Sequence, residues 1–386
     1  MQRTKKFILL LIALLIIMVS IPVLGVIVCL KDETRIESIS NPCTSVSHPP
    51  IIINNNTELD TFCFGQGTDG MSWLTAHVIE DYEIDAGGSG AALFIQNTNL
   101  FLIIRNITAT DAGASVDAGI LLKNCTNVKI TNCTAHNNGF HGISIQETSN
   151  SFLLDNTAFS NPICGLDFYE SYNIRISENN ANNNDFHGIT IWGGNNNTIS
   201  DNIFEYNDQA GITLFRTENN TCSGNAISNN LQDGIRIIEA DENIIKNNNV
   251  TQSQYGVYLE DAESNIIEKN TIFNNSLSGV FLKGDSFYSR YNVIRNNTIT
   301  HNNEYGINLY YTARNNEIYY NSLCYNVLGD ISDLGANNNI HDNYDCTPVT
   351  PSEAIMGYPF LWILGFVMFG CTILVFKSLK NNKRKK

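Results

Sequence analysis

Between residues 119 and 309 the hydrophobic positions return on a fixed beat. A glycine is followed by an apolar residue one and three places later, with polar or mixed residues between them. This happens at Gly119, Gly142, Gly165, Gly188, Gly211, Gly234, Gly256, Gly279 and Gly306, at spacings of 23, 23, 23, 23, 23, 22, 23 and 27 residues. One place after the glycines stand Ile120, Ile143, Leu166, Ile189, Ile212, Ile235, Val257, Val280 and Ile307. Such alternation predicts a strand with one buried face. Two further short apolar pairs follow in each period, each after an Asn, as in NIRI, NIIK, NIIE and NVIR. Three short strands per period of 22 or 23 residues describe one coil of a parallel β-helix. Helical solenoids have longer periods, and leucine-rich repeats need consensus leucines that this chain lacks.

Two asparagine columns reinforce the pattern. Asn156, Asn179, Asn202, Asn225, Asn248 and Asn270 lie fourteen places after their glycines, and Asn138, Asn161, Asn184, Asn207, Asn230 and Asn275 nineteen places after. Asn tolerates left-handed backbone at turns. Stacked about 4.8 Å apart, its amides can also bond into a ladder.

The pattern N-x-I-x-x-N-x-x-x-x-x-x-G-I-x-L resembles the right-handed parallel β-helix repeats of the NosD-like and pectate-lyase-like superfamily, over roughly residues 80–345. The stretch IDAGGSGAALFI, residues 84–95, is similar to the first coils of such proteins. The resemblance implies an all-β, right-handed parallel β-helix of about 10–11 coils. It does not name an activity, because the fold hosts lyases, hydrolases, epimerases, adhesins and binding proteins.

The ends differ from the middle. After MQRTKK, residues 7–30 form an apolar run, and residues 358–376 form another, followed by KSLKNNKRKK. Residues 1–30 are expected to be a signal peptide or an N-terminal transmembrane anchor, and 358–376 a transmembrane helix. Basic flanks stay in the cytoplasm, which leaves the large domain extracellular and tail 377–386 cytoplasmic. Between them the expected divisions are a cap at 31–80, the β-helix at 81–345 and a stalk at 346–357. The whole chain carries −15, and the 31–357 segment alone 14 basic against 38 acidic residues. Such a surface repels nucleic acid and suits cations or neutral ligands.

An outside location permits disulfides, and the pairs expected are Cys43 with Cys63 and Cys324 with Cys346, the latter one coil apart. N-x-S/T sequons make Asn55, Asn106, Asn196, Asn219, Asn249, Asn274 and Asn296 glycosylation candidates, with Asn124 and Asn132 also in sequons.

Two constellations carry candidate chemistry. Directly before successive glycines stand His141, Cys164 and His187, one per coil, a set able to converge on copper or zinc. The resemblance to NosD-like proteins, which are associated with copper, leans the same way. The second constellation is the outer face of the first strand. Tyr169, Trp192, Phe215 and Tyr310 share one column, flanked by Asp167, Arg236 and Tyr258 and by Glu170, Arg216 and Glu239. Aromatic rings stack on sugars, and the charged groups bind hydroxyls or acidic sugars, directly or through Ca²⁺. The reading is a membrane-anchored module that binds glycan or scaffolds the envelope. A polysaccharide lyase, hydrolase or epimerase on the same face and a copper-handling protein are the alternatives. No catalytic set stands out. Arg216 or Arg236 would be the base of a lyase, Asp208 and Asp233 fall in different columns, and the D-P-H-D motif of alginate epimerases is absent.

Overall fold

The structure, a computed structural model, describes residues 45–115 and 117–345. Both apolar terminal runs lie outside those residues. Among the described residues no helix is long and apolar enough to cross a membrane.

Each repeat folds as the alternation predicts, into three short strands that stack in parallel on their equivalents one turn away. The result is a right-handed solenoid with sheets of 13, 12 and 12 strands. Ile143 pairs with Leu166, Leu166 with Ile189 and Ile189 with Ile212, so one glycine-following column runs along the second sheet without a register break. The interior is a continuous apolar core from Ile51 to Leu323.

About 12 turns are present, more than the 10–11 expected. The extra turn lies in the segment expected as a cap. Val46–His48, Ile51–Ile53 and His77–Glu80 each join a sheet. A helix, Asn56–Phe62, interrupts this turn. That insertion breaks the 23-residue beat and hides the turn from a search by period.

The repeat glycine is required by close approach. A Cβ on Gly142 would stand 2.6 Å from the Gly165 carbonyl oxygen and 2.8 Å from Asn161 Nδ2. The two asparagine columns do form buried ladders. Asn202 Nδ2 donates to Asn225 Oδ1, Ile176 O and Ser200 O, each at 3.0 Å. Its Oδ1 accepts from the Asn179 backbone N–H at 2.9 Å and from Asn179 Nδ2 at 3.0 Å. Left-handed backbone falls on the residue before the ladder Asn instead, on Asp155, Glu178 and Asp201 in successive turns. A non-glycine residue there costs roughly 1–2 kcal/mol, and the amide ladder next to it offsets the cost. A third ladder runs through Asn220, Asn243, Asn265, Asn292 and Asn316. Cys133 takes an Asn position, where its N–H still donates to Asn156 Oδ1 at 2.9 Å.

Cys63 is a free, buried thiol. Cys43 lies outside the described residues, as does Cys346, the partner expected for Cys324. The sequon asparagines are all exposed except the half-buried Asn106.

Candidate functional site

The two constellations meet in one place. A cleft of about 550 Å³ opens on the second sheet over the strands His141–Gln146, Leu166–Tyr169, Ile189–Trp192, Ile212–Phe215 and Ile235–Ile238. Five strands at about 4.8 Å give a floor about 19 Å long. His141, Cys164 and His187 line it, and so do Asp167, Tyr169, Trp192, Phe215 and Arg236.

The strand alternation explains the arrangement. Residues one and three places after each glycine point into the core. Those two and four places after point outward, and they form the floor and the rim. Trp192 is 47% exposed and Tyr169 39%. Trp192 meets Tyr169 and Phe215 edge-to-face, at centroid distances of 6.1 and 4.9 Å. The three rings form one wall on consecutive turns. Phe140 and Phe186, each directly before a histidine, project over the opposite edge and contact His141 and His187 at 4.4 and 4.3 Å.

The floor is polar and closely bonded. Ser144 Oγ donates to Asp167 Oδ2 at 2.9 Å, and His141 Nε2 lies 3.8 Å from the same oxygen. Burial pushes the Asp167 carboxyl above the usual carboxylate range and His141 below its own, though each pulls the other back toward charge. Cys164 Sγ lies 3.3 Å from Thr190 Oγ1, and burial pushes its thiol up to about 12. Burial, aided by the nearby Arg236 charge, lowers His187 to about 3. Arg236 Nε donates to Asp233 Oδ2 at 2.8 Å, and its guanidinium lies over the Tyr258 ring at 5.3 Å. Asp233 is raised by burial to about 6, with Arg236 opposing.

The expected metal column is brought together only in part. His141, Cys164 and Asp167 present ligand atoms within 4.8 Å of one another, and His187 is not in that group. The donor chemistry does not fit a copper centre. The Cys164 backbone N–H donates to His141 Nδ1 at 3.3 Å, and the Ala210 N–H to His187 Nδ1 at 3.1 Å. A backbone N–H can only donate, so each ring carries its proton on Nε2. A histidine that ligates through Nε2 needs its proton on Nδ1, donated outward. Calcium wants six to eight oxygens, and this group offers one carboxylate.

The other candidates on the aromatic face lie elsewhere. Glu170, Arg216 and Glu239 have left-handed backbone at the corner that ends the sheet. They do not line the floor, but the Arg216 guanidinium lies over the outer side of the wall at Phe215, 4.8 Å from the ring centre. Arg216 pairs with Glu239 at 2.7 Å there. Tyr258 is only 6% exposed and bonds Glu260, while Tyr310 lies further along against Tyr311. Thr190, Thr213, Phe140 and Phe186 were not among the expected residues. The signal for the two phenylalanines is the repeated Phe-His-Gly at 140–142 and 186–188.

The family described as "Right handed beta helix region" matches residues 187–345, and "Periplasmic copper-binding protein (NosD)" matches residues 53–244. No curated protein matches the chain. Among solved structures, the A-module of a mannuronan C-5 epimerase of Azotobacter vinelandii is similar at 15% identity and TM-score 0.58, over 78% of this chain and 97% of that one. The A-module of a second such epimerase from that organism shares 18% identity, with TM-score 0.53, over 69% and 74%. The catalytic unit of an α-1,3-glucanase of Streptomyces thermodiastaticus shares 11%, with TM-score 0.59, over 79% and 69%. At these identities the similarity shows the fold alone. Repeat pattern, three-sheet stack and family matches agree, and the chain is a right-handed parallel β-helix repeat protein.

Proposed function

We propose that the chain is a carbohydrate-binding β-helix, held at the cell membrane by its terminal apolar segments with the solenoid outside. The observation that carries the reading is the cleft itself, an aromatic wall on three consecutive turns over a floor of hydroxyls, imidazole N–H groups and one carboxylate. Apolar ring faces stack on the wall while sugar hydroxyls exchange bonds with the floor. The size falls within the roughly 300–1,000 Å³ of small-ligand sites. The epimerases and the glucanase that share this fold act, by their names, on polysaccharides.

Binding is favoured over hydrolysis by the placing of the carboxylates. Asp167 and Asp233 belong to turns three apart, about 14 Å along the axis. Carboxylates that flank a glycosidic bond stand roughly 5–9.5 Å apart. A second reading, proton transfer to a bound sugar, is favoured by the His141–Asp167 pair. In the test, the full-length chain in mild detergent is incubated with a panel of oligosaccharides, and bound and free sugars are sized by mass spectrometry. Retention of unaltered sugar, weakened about 10-fold (about 1.4 kcal/mol) in Trp192→Ala, is the expected result. Shortened, unsaturated or epimerised products would replace binding with catalysis, and no retention at all would sink both readings.

A further inference from the structure

We infer that the ligand of this cleft is an uncharged saccharide, with glycans rich in carboxylate or sulfate excluded. The inference rests on the carbohydrate-binding reading and narrows it.

Every charge that faces the cleft already has a partner. Arg236 is the one Lys or Arg along its lining, and it is occupied on two sides: Asp233 holds Nε at 2.8 Å and the Tyr258 ring lies beneath the guanidinium. Asp233 is almost fully buried, with 2% exposure. A carboxylate that met the remaining guanidinium N–H groups would have to share a single positive charge with Asp233, and one that drew Arg236 away would leave the Asp233 carboxylate buried and unpaired, which is a costly state. The two histidines add no positive charge. Each accepts a backbone N–H on Nδ1 and so offers a neutral Nε2–H donor. At the other end, Asp167 is an acceptor fixed by Ser144 and offers an anion no positive charge.

The uncharged groups suit hydroxyls. A sugar hydroxyl donates and accepts at once. Thr190 and Thr213 on the floor can meet it in either role, the imidazole N–H groups as donors, and Asp167 as an acceptor. Neighbouring cations on the solenoid are neutralised in the same way, Lys283 by Glu260 at 3.5 Å and Arg290 by Glu263 at 2.8 Å. A chain with a net charge of −15 adds long-range repulsion for polyanions.

The test is isothermal titration of the full-length chain with neutral hexasaccharides (gluco-, manno- and galacto-oligomers) and with hexamannuronate and hexagalacturonate, at low and high salt. At least one neutral hexamer is expected to bind, with affinity changed less than two-fold by salt, and the uronates at least ten-fold more weakly. A uronate that binds as tightly as the best neutral sugar, or binding that collapses in salt, would overturn the inference and leave the carbohydrate reading standing. Silence from every sugar would overturn both. Asp233→Asn gives an independent check. It releases Arg236 from its partner and is expected to improve uronate binding at least five-fold over the parent protein. An unchanged uronate affinity in a folded Asp233→Asn protein would mean that the ion pair is not what excludes acidic sugars.

Discussion

The second sheet has two stretches built on the same columns, and the cleft opens on the first of them. From His141 to Ile238 the position before each glycine holds His, Cys, His, Ala and Asp, and the position two after holds Ser, Asp, Thr, Thr and Arg. From Tyr255 onward the same two columns hold Tyr255, Ser278 and Tyr305, and Tyr258, Phe281 and Asn308. There Tyr255 stacks on Phe281 at 4.8 Å, and Tyr258 tilts against both rings. The backbone is the same in both stretches. Side-chain volume alone decides whether a turn carries a cleft or a filled, flat surface. A binding site on this fold is thus made by subtraction, with small polar residues where the neighbouring turns have rings.

The largest effect should come from what the two stretches share. Asn202→Leu removes an amide that satisfies five hydrogen bonds and strands buried partners on both adjacent turns, at a cost of about 3 kcal/mol or more. Urea denaturation of the solenoid reads this directly, and a loss under about 1 kcal/mol would mean that the ladder is dispensable. Next comes the difference between the stretches. Thr190→Phe places a ring in the column that holds Tyr258 and Phe281, and should fill the cleft. Sugar binding is expected to fall at least about 100-fold, or about 2.7 kcal/mol, with little change in thermal stability. If binding survives, the ligand sits somewhere other than on this floor.

The smallest effect is one of pH. His187 is neutral in the folded protein down to about pH 3, whereas in the unfolded chain it gains its proton near 6.5. Its contribution to stability is therefore lost as pH falls from 6.5 toward 3, at up to about 1.4 kcal/mol per unit. Asp233, raised to about 6, acts the other way. It is protonated sooner in the folded protein, so between about 6 and the ordinary carboxylate pKa acidification favours folding. The two slopes oppose each other in the cleft stretch, where both residues lie. His187→Gln removes one of them, and its stability relative to the parent should rise by up to about 2 kcal/mol between pH 6.5 and 4.5. Parallel pH profiles for the two proteins would show that His187 does not titrate as its burial implies.

Much of the scaffold was legible in the sequence because a solenoid repeats one physical problem many times. Each glycine, inward Ile and ladder Asn faces its own copy, so a column of letters reports a column of contacts. The first turn was not legible, since the helix Asn56–Phe62 interrupts its period. The third Asn ladder escaped because its members read as the start of an apolar pair. The site was legible only in pieces. Tyr169, Trp192 and Phe215 could be placed by alternation. Glu170, Arg216 and Glu239 could not, because their left-handed backbone turns them off the sheet. Nor does a column show which ring nitrogen a backbone N–H will occupy, and that detail removes His141 and His187 from a metal site.

The amide ladders also make length a counted quantity. An asparagine finds its partner only one full turn away, so the molecule can grow or shrink only by whole turns, each about 4.8 Å. Extra residues are admitted only at corners. The 27-residue interval between Gly279 and Gly306 shows how, with Val280 still opposite Ile307. A gene that gained or lost a 23-residue unit inside the cleft would change the number of sugar units it spans by a discrete step, much as a ruler is recut at its marks.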